Sequence, residues 1–240
     1  MEVKTSSGLT CDVHSLTGKD LRELKAGAQT KGFHPMTFAI QRGVMVKSPG
    51  IYKAVDDFGR LLSGDRVLLY AKVREATKGN IFKFDIRCPV QGCSEPVHWS
   101  LDLQKLDVKP LPDEHKKVLN SKNEFSEQLE GYGEVKVKYS DGYDELRLID
   151  DAGKYDEFAA VVLSQIISVG EHSGAAAIMR LMDESSADLT DKLLLICKKY
   201  EFGLETSIDI RCTNPRCKAV STVQMPLDLR FFYDAIGRIS

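Results

Sequence analysis

The sequence predicts an α+β fold that is internally duplicated, with two modules ordered hairpin, helices, hairpin and related by a pseudo-two-fold. Two observations carry that expectation. Asp85-Ile86-Arg87-Cys88, four residues, Cys93 and then Leu101-Asp102-Leu103 return as Asp209-Ile210-Arg211-Cys212, four residues, Cys217 and then Leu227-Asp228-Leu229. Both cysteines move by 124 positions, since 212 − 88 and 217 − 93 agree, while the Leu-Asp-Leu moves by 126. Around each pair, residues alternate with the period of a half-buried strand. Phe82, Phe84, Ile86 and Cys88 share one face against Lys83, Asp85 and Arg87, and Ile208, Ile210 and Cys212 oppose Ser207, Asp209 and Arg211. Val97, Trp99, Leu101 and Leu103 return in the first copy, and Val223, Met225, Leu227 and Leu229 in the second. Each cysteine pair thus sits at a hairpin tip. Neither half alternates strand and helix as a parallel sheet would, which leaves α+β. The expected division is a first repeat over 1–108, a linker over 109–133 and a second repeat over 134–240.

Taken in order, Val3 to Thr5 and Thr10 to Leu16 predict two short strands around Ser6-Ser7-Gly8. Thr17-Gly18-Lys19-Asp20 resembles a capping box with Asp in place of Glu and starts a helix through Ala28. A second short helix is expected from Pro35 to Gln41, closed by Gly43. Ser48-Pro49 predicts a third, with Tyr52, Val55, Phe58 and Leu62 as its buried stripe. After Gly64, a helix over Asp65 to Thr77 leads through Gly79-Asn80 into the first cysteine hairpin. From Lys105 to Gly133 the pattern weakens, and the mixed charges of Asp113 to Lys117 read as a solvated linker.

The second copy opens with a predicted hairpin, Val135 to Tyr139, the turn Ser140-Asp141-Gly142, and Glu145 to Ile149. Phe158, Val161, Val162, Ile166 and Val169 then share one face of a helix that Gly170 ends. Ser173 is a candidate cap for Gly174 to Met182. Asp188 or Thr190 starts the helix that carries Leu193 to Tyr200 toward the second cysteine hairpin.

A 42% hydrophobic content in 240 residues can bury one large core or two modest ones, and the repeat favours two. With 33 basic and 35 acidic residues the net charge is −2, which argues against a polyphosphate as main partner. The amino terminus lacks the basic start and apolar run of a signal peptide, and Phe158 to Val169 is too short to span a bilayer. A soluble chain of a reducing cytosol, with no membrane partner, is the expectation.

That compartment decides how the cysteines are read. Disulfides rarely persist there, so pairs at turn spacing point to metal. Zinc takes four ligands in a tetrahedron, and each turn offers two. The arithmetic closes if Cys88, Cys93, Cys212 and Cys217 hold one structural Zn2+ per chain, a zinc-knuckle pair clamping the repeats together. Reduced thiols or two short disulfides are the other readings. His98 is a rival ligand, but it is out of phase with Trp99 and has no counterpart in the second copy, so it reads as a surface histidine. Cys197, in Leu193-Leu194-Leu195-Ile196-Cys197, reads as a buried structural thiol.

No phosphate loop, dinucleotide fingerprint, zinc-protease motif or nucleophile elbow occurs, and the five histidines are scattered. No catalytic residue and no small-molecule substrate are expected. Arg87, Arg211, Arg216 and Lys218 cluster about the cysteine turns, as in a zinc-ribbon nucleic-acid-binding protein. Against that alternative, Asp85, Asp102, Asp209 and Asp228 share the same outward faces, and stacking aromatics are missing.

Leu16-Thr17-Gly18-Lys19-Asp20, Leu62-Ser63-Gly64-Asp65-Arg66, Phe82-Lys83-Phe84-Asp85-Ile86-Arg87-Cys88, a second cysteine and Leu101-Asp102-Leu103-Gln104-Lys105-Leu106 resemble the baseplate hub assembly chaperone family of T-even-type contractile-tailed phages. The second cysteine pair followed by Leu227-Asp228-Leu229-Arg230-Phe231-Phe232 is similar to the end of that family. The resemblance implies a non-enzymatic tail assembly protein, acting in the host cytoplasm with other baseplate hub or wedge proteins, or forming part of the virion's baseplate hub.

Overall fold

A computed structural model describes residues 1–233 apart from Lys53 and Ala152, and leaves out the side chains of Ile149, Glu157 and Ala187. The last seven residues of the expected second repeat lie outside the described residues. Helices and several small antiparallel sheets make an α+β fold.

The chain begins with β1 (Glu2–Lys4) and β2 (Thr10–Val13), paired antiparallel. Helix α1 (Gly18–Gly27) starts at a true capping box: the Thr17 side chain accepts the Asp20 N–H, and the Asp20 carboxylate accepts the Thr17 N–H at 2.9 Å. Helix α2 (Pro35–Gly43) then runs directly into β3 (Val44–Ser48), which pairs with β2. This pairing overturns the helix expected from Ser48. The β-branched Val44 and Val46 complete a sheet, so Ser48 ends a strand, and one 3-10 turn, Phe58–Arg60, comes after it. Tyr52 is held inward by its hydroxyl instead, which donates to the Asp65 carboxylate at 2.7 Å and accepts the Leu62 N–H at 3.1 Å.

Helix α3 (Ser63–Lys78) is the axis of the first half, with Leu69, Tyr70 and Val73 fully buried. Asp65 on its first turn is buried too. Its Oδ2 accepts from Tyr52 and from the Ser7 hydroxyl, tying the β1–β2 turn to the helix. Burial raises the Asp65 carboxyl above its usual range. A carboxyl raised in the folded state stabilises fully below its unfolded pKa, and that contribution is lost as pH rises through the folded value. Asp65→Asn keeps an acceptor for both hydroxyls and removes the charge, so at neutral pH it is expected to match or exceed the parent in chemical denaturation, without this pH dependence. Asp65→Ala leaves the hydroxyls unpaired and should cost about 1–3 kcal/mol.

The first cysteine hairpin is β4 (Ile81–Arg87) with β5 (Pro96–Asp102). The segment expected as a solvated linker is structured. It holds β6 (Val108–Lys109), α4 (Asp113–Leu119) and β7 (Phe125–Leu129), with Leu111 and Leu129 buried in the second core. Its charge run lies on α4, none of whose residues is buried, while its few apolar residues reach inward.

Strand β8 (Gly133–Val137) pairs with β7. The return strand expected over Glu145 to Ile149 is instead a helix, for Gly142 opens α5 (Gly142–Asp150). Asp141 N–H donates to the Asp144 carboxylate at 3.2 Å, and Asp144 N–H donates back to Asp141 Oδ1 at 3.1 Å. This is the capping box of Thr17 and Asp20 displaced by 124 positions. Helix α6 (Glu157–Gln165) stops before the β-branched Ile166-Ile167, which form β9 (Ile166–Val169) on β8 rather than more helix. A short β10 (His172–Ser173), α7 (Ala175–Glu184) and α8 (Ala187–Lys199) lead to β11 (Gly203–Leu204), which pairs with β6. Then comes the second cysteine hairpin, β12 (Ser207–Arg211) with β13 (Val220–Gln224). Each trailing Leu-Asp-Leu ends in a 3-10 turn capped by its own aspartate, so Leu103 and Leu229 lie outside the strands.

The 124-residue interval runs through much of this order. Helices α3 and α8 begin 124 positions apart, and Val3 faces Cys11 as Glu127 faces Val135. The hydrophobic packing does not divide in the same way. Ile208, Ile210, Phe231 and Phe232, late in the chain, belong to the core around α3. Phe231 stacks on Tyr70 at 5.1 Å and meets Phe82 edge-on at 4.8 Å. Backbones of the two halves also cross where Gly64 and Gly203 touch. A Cβ on either would come within 2.3 Å of a carbonyl oxygen, and Gly203 has φ +94, which glycine adopts at no cost. No helix among the described residues is long and apolar enough to cross a membrane.

Candidate metal centre

The two hairpin ribbons present their cysteines in matching frames. At the first tip, Cys88 N–H donates to Glu95 O at 2.8 Å and Cys93 N–H to Val90 O at 3.0 Å. At the second, Cys212 N–H donates to Ala219 O at 2.9 Å and Cys217 N–H to Asn214 O at 3.0 Å. Every partner is 124 positions on. The residue after the second cysteine is left-handed in both, Ser94 at φ +49 and Lys218 at φ +51, the only non-glycine residues with positive φ among those described. Such a turn costs about 1–3 kcal/mol, and here it falls where the chain leaves the tip for the returning strand.

The four sulfurs meet between the tips. Cys93 and Cys212 stand 3.6 Å apart, Cys88 and Cys217 3.9 Å, and all four lie within 4.8 Å of one another. A tetrahedron with metal–sulfur bonds of about 2.3 Å has edges of roughly 3.8 Å, so the cluster has the size of a four-thiolate metal site. The sulfurs are well beyond a disulfide bond of about 2.05 Å, and all six cysteines are free. Cys88 and Cys212 are buried beside Val97, with Ile86 and Trp99 packed around them, while Cys93 and Cys217 are half-buried.

Thiol acidity fits a site completed by a cation. The Glu95 backbone N–H, aimed at its sulfur, lowers the Cys93 thiol below its usual value. Burial pushes Cys212 up to about 12 against a similar N–H from Asn214. At Cys88 a Val90 N–H favours the thiolate, yet burial and the neighbouring sulfurs leave that thiol raised. Four negative sulfurs at this spacing repel one another, and a divalent ion among them removes the penalty. The described residues therefore bring all four sequence-predicted ligands together, and they can hold a metal ion.

His98 stands apart, its side chain 76% exposed and its Nδ1 2.6 Å from the Asp85 carboxylate across the β4–β5 pair. Thr222 hydroxyl makes the corresponding bond to Asp209, 2.7 Å, in the other ribbon. Cys11 and Cys197 are buried in the two cores, and burial raises both thiols, to about 11 and about 12. They are packing residues, inert as nucleophiles. Sequence reasoning missed the turn residues Ser94 and Lys218 and the amides of Val90, Glu95 and Asn214. Only the equal spacing of the two cysteine pairs hinted at them.

Comparison of the chain with protein-family models, with curated proteins and with solved structures found no match.

Proposed function

We propose that the chain is a non-enzymatic assembly protein, a doubled module whose two hairpin tips share one structural Zn2+ at Cys88, Cys93, Cys212 and Cys217. The convergence of four sulfurs from both halves, at tetrahedral spacing, carries this reading. Four thiolates fill the shell of zinc and leave no open position to activate water, so the ion's work would be mechanical. Matching knuckles, capping boxes and strand register at one interval support the duplication.

The particular setting we propose is the contractile-tail baseplate hub of a phage, with hub or wedge proteins as partners during assembly in the host cytoplasm. Its support is the ordered set of motifs that resembles the hub assembly chaperone family, from Leu16 to Phe232. The zinc-ribbon alternative rests on Arg87, Arg211, Arg216 and Lys218 about the tips, and has less behind it because the net charge of −2 and the aspartates on the same ribbon faces weigh against a phosphate backbone as main partner. Capture of the tagged protein from infected cells, read by mass spectrometry, is expected to bring down hub or wedge subunits. Recovery of none of them, with retention of DNA at physiological salt, would transfer the assignment to nucleic-acid binding.

A further inference from the structure

The two halves differ where a helix gives way to a strand, at Gly43 and Gln165, 122 rather than 124 positions apart, and a cavity lies at the second. In the first half, His14 N–H donates to Gly43 O at 2.7 Å where α2 becomes β3. In the second, Lys138 N–H donates to Gln165 O at 2.8 Å where α6 becomes β9. Gly43 has no room for a side chain, because a Cβ there would lie 2.7 Å from Val73 on α3. Its counterpart is a glutamine, 8% exposed, which lines a cavity of about 260 Å³ at the junction of the halves. The buried Gln165 Oε1 has no hydrogen-bond partner among the described residues. A carboxamide oxygen left unpaired in a buried setting costs about 1–3 kcal/mol, so the cavity favours whatever brings a donor to it, water or a ligand's N–H.

The remaining walls say what that group is. Tyr139, Tyr200 and Phe202, packed edge-to-face through Tyr139, line the cavity together with Glu201 and Glu205. Glu201 and Glu205 are both exposed residues of the wall. Partial burial raises the Glu201 carboxyl and Glu205 adds to the effect, while Lys109 and Lys198 act against it, so the net balance still favours a further cation here. Lys109, the cation of the wall, is occupied with the Lys198 carbonyl at 3.1 Å. Aromatic faces, two carboxylates and an unpaired carbonyl-type acceptor together suit an alkyl ammonium, its stem against the rings and its N–H groups on oxygen.

We propose that this cavity binds a primary ammonium carried on an alkyl stem, either a free amine or the lysine side chain of a partner protein. The proposal stands independently of the metal and of the tail-assembly reading. Calorimetric titration of the full chain with cadaverine, with an acetylated lysine-containing tripeptide amide and with pentanol tests it. Binding of cadaverine or of the lysine peptide, but not of pentanol, is the expected result, weakened about tenfold or more in Gln165→Leu and in Glu201→Gln. Binding of cadaverine alone identifies a free amine as occupant, and binding of the peptide alone identifies a partner's lysine. Glu201 is exposed as a residue, so its substitution leaves the fold intact as a control for Gln165. No binding of either amine, equal binding of pentanol, or unchanged affinity in both variants would overturn the proposal.

Discussion

Cys212→Ser is expected to release one equivalent of zinc per chain, read by native mass spectrometry, and to lower stability by at least about 3 kcal/mol in denaturant. A structural zinc supplies roughly 10–16 kcal/mol to a small domain with no other core, and only part of that should be lost here because two buried clusters remain, each drawing on residues of both halves. Cys93→Ser, in the other hairpin, should produce the same loss, since its sulfur sits 3.6 Å from that of Cys212. A double variant should be little worse than either single one, because two residues serving one ion are not additive. Two ions per chain, or additive losses, would mean that each hairpin completes its own site.

A second large effect is expected from Arg66→Ala, at about 3–5 kcal/mol, the usual result of removing one partner from a buried ion pair. Arg66 is fully buried on α3 and reaches into the other half. Its Nε lies 3.1 Å from Glu145 Oε2 on α5, its Nη1 2.6 Å from Phe58 O and its Nη2 2.9 Å from Thr37 Oγ1. His34 Nε2 approaches the same carboxylate at 3.2 Å. Gly142 makes the passage possible, for a Cβ there would press on the guanidinium at 2.4 Å. Burial would raise the Glu145 carboxyl, but the adjacent His34 imidazole and the Arg66 charge hold it below the usual range. A lowered carboxyl stabilises above its unfolded pKa, and that contribution is lost as pH falls through the folded value. In Glu145→Gln the corresponding acid limb of the stability curve should be missing. An unchanged limb would assign the acid sensitivity to other carboxylates.

How far the sequence reaches depends on the range of the interactions. Alternation around Cys88 and Cys212 places the ribbons, and paired spacing finds the four cysteines that cluster, because both signals are local and repeated. Thr17 to Asp20 is read as a cap for the same reason. Its twin, Asp141 to Asp144, is misread as a turn between strands, since Ser140-Asp141-Gly142 serves a hairpin and a helix start equally well. Only the partners chosen by β8 decide, and they are β9 and Phe125–Leu129, the latter hidden in a stretch that charge alone makes look solvated. Tyr52, Val55, Phe58 and Leu62 show the opposite error. Their helical spacing is real, but a buried hydroxyl network and β3 pairing outrank it. Buried Arg66 is invisible in sequence, since its partners lie 8 to 79 positions away.

Phe231 and Phe232 give the molecule a timing constraint. These rings, fully buried against Tyr70 and Phe82, close a cluster that otherwise belongs to the start of the chain. While the polypeptide is still being synthesised, the earliest segments therefore have an open apolar gap that nothing yet made can fill. Completion of the core around α3 therefore waits for the segment that carries these two rings, and a truncation at residue 228 should injure that core more than the one around β8.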